Sequence, residues 1–191
     1  RYERAAEFLT IFRQLWSGEP VTFTGKHLSV ENATIIPAET WPDIYLGGSS
    51  AEALEVAAEH ADVYLTWGEP PAQVAEKLDA VRHQVKNLGR PRLATRDLRF
   101  GIRLHVISRP TEEEAWAQAD KLLAGLDAES INRAQQIQRN SQSEGQRRMS
   151  ALHGGRTDNL EVSPNLWAGI GLVRGGAGTA LVGSHEQVAD R

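Results

Sequence analysis

The amino-acid sequence predicts an α/β fold in which parallel strands alternate with helices. Apolar residues form short strand-like runs at 44–46 and 62–67, and each run leads into a segment whose apolar residues recur with helical spacing. A third strand is expected at 99–107 (RFGIRLHVI), where apolar and other residues alternate, and another helical pattern follows it. This order is typical of a parallel sheet covered by helices, with the strands lining a barrel or a crevice.

The stretch 99–107 carries the first candidate functional residues. In a single strand, Arg103 and His105 lie on the same face, about 7 Å apart, which suits the binding of one small anion between them. A half-buried antiparallel strand with one solvated face would show the same alternation. The surrounding strand–helix pattern favours the anion site, because a cation directed into a barrel or crevice needs a partner.

The composition is typical of one soluble globular domain. The 191 residues are 40% hydrophobic and 24% charged, no apolar segment is long enough to span a membrane, and the first residues do not resemble a signal peptide. We therefore expect a cytoplasmic protein without membrane contacts. The formal net charge of -4 argues against nucleic-acid binding, and the lack of cysteine excludes disulfides and thiolate metal sites within these residues. No metal site is expected.

Both ends of the chain lie within helical patterns. Residues 5–16 predict an amphipathic helix that Gly18 and Pro20 terminate, and VTFTGKHLSV then predicts a surface hairpin. Near the other end, Ser184 and Gln187 predict a capping box for a last helix. Because the first residues show no initiator Met and no helix cap, we expect the sequence to be part of a longer chain.

The segment DIYLGGSS combines a strand, a tight turn and a helix start. Glycines allow the backbone to turn, and Ser49 with Glu52 is expected to form a capping box. The backbone amides and hydroxyl groups at Gly48, Ser49 and Ser50 could bind a phosphate monoester. Alternatively, the glycines only permit the turn and Ser49 only caps the helix.

Trp67 stands at the C-terminal end of the strand expected at 62–67, the position at which α/β barrels build their sites. Ordinary packing is the alternative for an aromatic residue there. The following GEPP begins a helix that is expected to end at Gly89. Its buried stripe is predicted to consist of Val74, Leu78, Val81 and Val85.

Two unusual segments follow the last predicted strand and its helix, which Thr111 and Glu114 are expected to cap. Residues 127–159 are polar, with too few apolar residues to secure them to a core, which predicts a mobile lid or a disordered loop. Residues 169–183 are glycine-rich and carry Arg174, so a flexible loop could close over an anionic substrate. A glycine-rich linker with a solvated Arg174 is the alternative.

Several strings, in this order, resemble the reduced-FMN-dependent alkanesulfonate monooxygenases of the bacterial luciferase-like superfamily. They are RYxRxxEF, YLGGSS, DVYLTWGEPP, RFGIRLHVI and SPNLWAGIGLVRGGAGTALVG. The resemblance runs along nearly the whole chain and implies that residues 1–191 form one partial TIM (β/α)8-barrel domain. It also implies a central-to-late portion that lacks the first four strands and the last one. The connection PRLATRDL is longer than the corresponding link in the family.

The resemblance also assigns roles to individual residues. It implies that Arg103, His105 and Arg174 bind the sulfonate and take part in catalysis, and that Trp67 lines the same pocket. The GGSS turn resembles a flavin phosphate site, which implies cofactor contacts from Gly48, Ser49 and Ser50. The polar segment 127–159 resembles a mobile insertion that closes over the active site.

The implied reaction is the cleavage of an alkanesulfonate C–S bond by reduced FMN and O2, which gives an aldehyde and sulfite. An NAD(P)H-dependent FMN reductase would supply the reduced flavin, and the full-length protein is expected to be a homo-oligomer. Two alternatives stay open: a luciferase-like monooxygenase for another sulfur compound, such as methanesulfonate or a sulfone, and a non-catalytic flavin- or anion-binding fragment. Three parallel strands with open edges cannot close a barrel, so these residues alone are expected to be poorly soluble and inactive.

Overall fold

A computed structural model describes residues 1–36, 39–88 and 97–191, which contain seven α-helices and nine β-strands. They form two compact units. The first unit comprises Arg1–Leu65 and Leu78–Gly101, and the second unit comprises Thr66–Lys77 and Ile102–Arg191. The connection PRLATRDL falls largely outside the described residues, as does the predicted helix end at Gly89.

The first unit opens with the predicted helix and hairpin. Its elements are α1 (Tyr2–Leu15), β1 (Val21–Thr24), β2 (Ser29–Ala33), β3 (Tyr45–Gly47) and α2 (Ala51–His60). The unit boundaries fall within the next elements, which are β4 (Val63–Trp67), α3 (Pro71–Asn87) and β5 (Arg99–Arg103). The second unit continues with β6 (His105–Arg109), α4 (Glu112–Ala124), α5 (Ala128–Arg139), α6 (Glu144–His153), β7 (Glu161–Ser163), β8 (Leu166–Trp167), a 3-10 helix (Gly169–Leu172), β9 (Ala180–Ser184) and α7 (His185–Ala189).

The described strands form three sheets and no closed barrel. β1 and β2 make the antiparallel hairpin that the sequence predicts. The second sheet has the order β3-β4-β5, with β3 and β4 parallel, and the third has the order β6-β9-β8-β7. In the third sheet β6 and β9 are parallel, whereas β7, β8 and β9 pair in antiparallel fashion. The fold is therefore mixed α/β rather than purely parallel, and the described residues contain more strands than the hairpin and the three parallel strands that the sequence predicts.

Each unit has its own hydrophobic core. In the first unit, α2 and α3 pack beside β4 through Leu54, Ala57, Ala61, Tyr64 and Val81. In the second unit, the core lies between the third sheet and its helices and consists of Ile107, Ala115, Ala119, Ile131, Leu160, Trp167, Leu172, Ala180 and Val182. The small alanines at these positions let the helices and strands approach closely.

The prediction of one continuous strand at 99–107 is wrong. The chain forms β5 and β6 on either side of Leu104, because its hydrogen-bonding partner changes there: Gly68 N donates to Arg103 O at 3.0 Å, whereas His105 N donates to Thr179 O at 2.9 Å. The expected apolar face is also not buried, since Ile102 is 52% exposed and Val106 is 56% exposed. The buried residue of β6 is Ile107, which the alternation placed on the opposite face.

Two smaller predictions also need correction. The strand expected at 44–46 is β3, shifted by one residue, and it is an edge strand with Tyr45 exposed rather than a buried one. The cap of α2 is Ser50, one residue later than predicted: its Oγ accepts from Ala53 N. The predicted caps at Thr111 and Ser184 are confirmed, and Ser184 forms a complete capping box.

The segment 127–159 is not a structureless loop, since it contains α5 and α6. Ile131 and Met149 are buried, as are three glutamines, whereas Ile137 is exposed. The glycine-rich segment 169–183 likewise contains the 3-10 helix and most of β9. The mobility of both segments stays a prediction.

Candidate active site

Arg174 lies in a loop between the 3-10 helix and β9, here called the Arg174 loop (residues 173–179). Close approach of two glycines shapes this loop: Gly171 N donates to Gly178 O at 2.8 Å, and a Cβ on Gly178 would lie only 2.8 Å from the Gly171 Cα. Gly176 adopts a φ of +94°, which a residue with a side chain rarely does. These glycines therefore determine the path of the backbone on which Arg174 is carried.

His105 is the residue that Arg174 contacts. Arg174 Nη1 lies 2.9 Å from His105 Nε2, and the same ring nitrogen lies 3.2 Å from Ala177 O. A guanidinium only donates and a carbonyl only accepts, so Nε2 can satisfy one of these two groups at a time. The shorter, charge-assisted contact is with Arg174, which requires a neutral ring with its proton on Nδ1 and a lone pair on Nε2.

Arg103 is placed differently from the sequence prediction. It is the last residue of β5, whereas His105 is the first residue of β6, so the two do not share one strand. Arg103 is exposed, and within the described part of the chain its side chain makes no hydrogen bond or ion pair. The pair that the structure brings together is therefore His105 and Arg174.

Trp67 ends β4, as the sequence predicts, and is half-buried. Its ring lies against the first turn of α6: a Cβ on Gly145 would be 3.0 Å from Trp67 Cζ3. The buried Gly145 thus leaves room for the ring, and packing accounts for this side of Trp67. Gly176 of the Arg174 loop is also near, since its Cβ would lie 4.0 Å from Trp67 Cζ2.

A buried ionic cluster follows β4 directly. The Glu69 side chain is fully buried and binds two cations: Lys77 Nζ lies 2.6 Å from Oε1, and Arg148 Nη2 lies 2.7 Å from Oε2. Burial lowers the pKa of Lys77, and the hydrogen bond to Glu69 raises the pKa of Arg148. This cluster attaches Arg148 of α6 to Lys77 of α3 through one carboxylate.

Three buried glutamines connect α5 and α6 to the backbone on both sides of Arg174. Gln135 Nε2 donates to Leu172 O at 2.7 Å, and Gln138 Nε2 donates to Gly171 O at 3.0 Å. Gln146 Oε1 accepts from Gly176 N at 2.8 Å. An open cleft of about 200 Å³ lies beside these contacts and is lined by Ala134, Ile137, Gln138, Ser141, Gln146, Val173 and Gly175.

The GGSS turn belongs to the first unit. Tyr64 Oη donates to Gly48 O at 2.6 Å, and a Cβ on Gly48 would lie 2.5 Å from the Ala53 Cβ, so only glycine fits there. Ser50 caps α2. The pKa of Glu52 is lowered by a hydrogen bond from its own backbone N–H and by a second one from the Ser50 hydroxyl. A carboxylate is therefore already bound at the N-terminus of α2.

A family profile described as Luciferase-like monooxygenase matches residues 1–191. The chain belongs to the luciferase-like monooxygenase family. Among solved structures, it resembles riboflavin lyase (RcaE), determined with modified FMN and riboflavin, with a TM-score of 0.70, 17% identity and coverage of 99% of this chain and 48% of that chain.

Two other solved structures show the same likeness. They are DmoA from Hyphomicrobium sulfonivorans, with a TM-score of 0.67, 20% identity and coverage of 100% and 47% of the two chains, and the long-chain alkane monooxygenase LadA, with a TM-score of 0.65, 20% identity and coverage of 99% and 47%. At these identities the likeness shows the fold. The chain spans about half the length of these structures.

For this member of the luciferase-like family, sequence reasoning missed the glutamines and the Glu69 cluster. Gln135 and Gln138 are three residues apart, and Gln146 and Ser150 are four apart, so each pair shares a helix face; this spacing was the only available signal. In the described part of the chain, no cluster of His, Asp or Glu could hold a metal ion. No described helix is long and apolar enough to cross a bilayer.

Proposed function

We propose that this chain carries part of the active site of a reduced-FMN-dependent monooxygenase that converts alkanesulfonates to an aldehyde and sulfite. Membership of the luciferase-like monooxygenase family supports the reaction class. The observation that carries the choice of an anionic substrate is the 2.9 Å contact between Arg174 Nη1 and His105 Nε2. It places a guanidinium against a neutral partner, so that its charge is available to an anion.

A sulfonate suits this arrangement chemically. It is a permanent anion with three equivalent oxygens, and a planar guanidinium can donate to two of them at once. Arg174 and Arg103 both lack a carboxylate partner among the described residues, in contrast to Arg156, which is paired with Asp158. Two unpaired arginines in the second unit thus provide the donors, and Trp67 would border the alkyl part of the substrate.

His105 has a distinct role in this proposal. When a sulfonate binds Arg174, the guanidinium turns its donors to the anion and releases His105 Nε2. The ring can then hold a proton at Nε2, where it can be donated to the Ala177 carbonyl or to a substrate oxygen. Substrate binding and the protonation state of His105 are therefore coupled through one contact.

The GGSS turn has groups that fit the phosphate of FMN. The Ser49 hydroxyl and the amides in the first turn of α2 are hydrogen-bond donors, and Gly48 itself adds no side chain to the turn. The carboxylate of Glu52 lies at the same helix terminus and would have to turn away. Gly48, Ser49 and Ser50 would hold the cofactor, which supplies the electrons that activate O2 when it is bound in reduced form.

The overall reaction needs a source of reduced FMN. One oxygen atom of O2 enters the aldehyde and the other leaves as water, while the sulfonate group departs as sulfite and FMN is released oxidised. An NAD(P)H-dependent FMN reductase would regenerate the reduced flavin. We further propose a homo-oligomer that acts in the cytoplasm.

The test is sulfite release by the full-length protein with a flavin reductase, NADH and alkanesulfonates of one to ten carbons, with dimethyl sulfone as a second substrate class. We expect sulfite from an alkanesulfonate, and a higher KM in Arg174→Ala and Arg103→Ala. Arg156→Ala removes an exposed arginine and is expected to match the wild type. His105→Ala is expected to lower kcat by a far larger factor than it lowers the affinity for FMN.

Three results would contradict the proposal in different ways. Oxidation of dimethyl sulfone without sulfite from any sulfonate would reassign the substrate. Binding of 1-octanesulfonate without turnover would indicate a binding fragment. Equal kinetics of Arg174→Ala and Arg156→Ala would remove Arg174 from the site.

A further inference from the structure

The Arg174 loop is bound on both sides of Arg174 by buried side-chain amides. Gln138 binds the backbone before Arg174, at Gly171 O, and Gln146 binds the backbone after it, at Gly176 N. Ser150 connects the two glutamines: Gln146 Nε2 donates to Ser150 Oγ at 3.2 Å, and Ser150 Oγ donates to Gln138 Oε1 at 3.1 Å. Both glutamines are buried.

The two backbone groups at the ends of this series of hydrogen bonds determine the direction of every bond in it. The Gly176 amide can only donate, so Gln146 must present its oxygen to it, and the Gly171 carbonyl can only accept, so Gln138 must present its nitrogen. The remaining amide groups then leave Ser150 one role, accepting from Gln146 and donating to Gln138. These hydrogen bonds therefore all run in one direction, and we call the series a relay. Its five groups are the Gly176 amide, Gln146, Ser150, Gln138 and the Gly171 carbonyl.

Burial makes this relay cooperative. An amide removed from water without a partner is costly, so the loss of one member leaves its neighbours unsatisfied in a low-dielectric environment. The Arg174 loop has few side chains with which to pack, so the relay, together with the hydrogen bond from Gln135 Nε2 to Leu172 O, connects the backbone on either side of Arg174 to α5 and α6.

We propose that Gln138, Ser150 and Gln146 are positioning residues that hold Arg174 where its guanidinium meets His105. The inference rests on the proposed function in so far as Arg174 is assigned to bind the sulfonate. None of the three relay residues needs to touch substrate. Their effect on binding is transmitted through the backbone at Gly171 and Gly176.

The relay predicts opposite outcomes for two substitutions of equal charge. In Gln146→Glu the introduced carboxylate still accepts from Gly176 N, so the loop keeps that contact. The carboxylate can also accept from the Ser150 hydroxyl in place of the lost amide donor, and Gln138 Oε1 keeps Gln135 Nε2 as a donor. In Gln138→Glu the carboxylate faces the Gly171 carbonyl, which also only accepts, so the contact is lost and the two oxygens repel. Gln136 is exposed on α5, and Gln136→Glu is the control for an added charge.

The experiment measures amide hydrogen exchange of residues 171–178 and the apparent Kd for 1-octanesulfonate in the full-length protein. We expect exchange and Kd to rise about tenfold in Gln138→Glu, and both to stay within about threefold of wild type in Gln146→Glu and Gln136→Glu. Ser150→Ala adds no charge and interrupts the relay, so it should also accelerate exchange. If Gln138→Glu does not fold, Ser150→Ala alone tests the relay.

Equal exchange in the two buried Glu variants, or wild-type exchange in Ser150→Ala, would overturn the relay. The two proposals fail separately. Wild-type protein that binds no 1-octanesulfonate, with the expected exchange pattern, would overturn the sulfonate function and leave the relay as the device that fixes the loop. Sulfonate binding with unchanged exchange in every variant would overturn the relay and leave the sulfonate function in place.

Discussion

The substitution Glu69→Gln tests whether the buried ionic cluster holds α6 in place. The Glu69 side chain is 0% exposed, and Lys77 is 5% exposed. Replacing the carboxylate by an amide keeps the shape but leaves the buried Lys77 without its hydrogen-bonded counter-charge, and it leaves Arg148 with only the exposed Glu76, 3.8 Å away, as an ion-pair partner.

The expected loss can be estimated from the burial of each partner. Removing one member of a buried ion pair costs about 3–5 kcal/mol, because the remaining charge is desolvated and unpaired. The Lys77 contact is buried on both sides and should show this cost, whereas the Arg148 side chain is 25% exposed and adds less. We therefore expect Glu69→Gln to lower the free energy of unfolding by about 3–5 kcal/mol.

Urea denaturation of the full-length protein, followed by far-UV circular dichroism, measures this loss. Glu76→Gln is the matched control, because Glu76 is 73% exposed and lies 3.8 Å from Arg148; exposed pairs contribute about 0–1 kcal/mol. Lys77→Met should cost less than Glu69→Gln, since Arg148 still neutralises Glu69. If Glu69→Gln and Glu76→Gln differ by less than about 0.5 kcal/mol, the cluster does not stabilise the unit as argued.

Three further predictions concern single positions. Burial lowers the pKa of His153 below 6.5, so the unfolded state binds more protons at this residue. The free energy of unfolding should therefore fall as the pH drops below about 6.5, by at most about 1.4 kcal/mol per pH unit. Urea titrations at pH 7.5 and 5.5 should show a smaller difference in this free energy for His153→Gln than for the wild type. Gly145→Val should cost about 1–3 kcal/mol by overpacking against Trp67, whereas Ala151→Val on the exposed face of α6 should cost far less, as urea midpoints would show. Glu52→Gln should lower the Kd for FMN severalfold at low ionic strength, measured by flavin fluorescence; an unchanged Kd would argue against a phosphate at α2.

Local signals account for the parts of the fold that the sequence predicted. The amphipathic pattern of α1, the β1–β2 hairpin and the caps at Thr111 and Ser184 depend on residues within a few positions of one another. Hydrophobic spacing and capping chemistry describe such short-range order well. Such signals locate a helix cap only to within about one residue: the adjacent Ser49 and Ser50 both fit a cap, and the structure uses Ser50.

The errors share a different physical origin. The break at Leu104 occurs because β5 and β6 pair with different strands, and the partner of β6 is β9, over seventy residues away in the sequence. Alternation within nine residues contains no information about which strand pairs with each half. The separation of Arg103 from His105 and the contact of His105 with Arg174 both follow from this change of partner.

The polar composition of segment 127–159 is related to its contacts with the glycine-rich segment 169–183. A glycine-rich backbone offers few side chains for apolar packing, but it presents N–H and C=O groups that must be satisfied when buried. Helices that pack against it therefore need amide side chains, and the contacts from α5 and α6 span 30 to 37 residues. The low hydrophobicity that suggested a disordered loop is thus the composition that a helix requires to bind a glycine-rich loop. It follows that replacing these glutamines by leucine would raise the hydrophobicity of the segment and yet weaken its attachment.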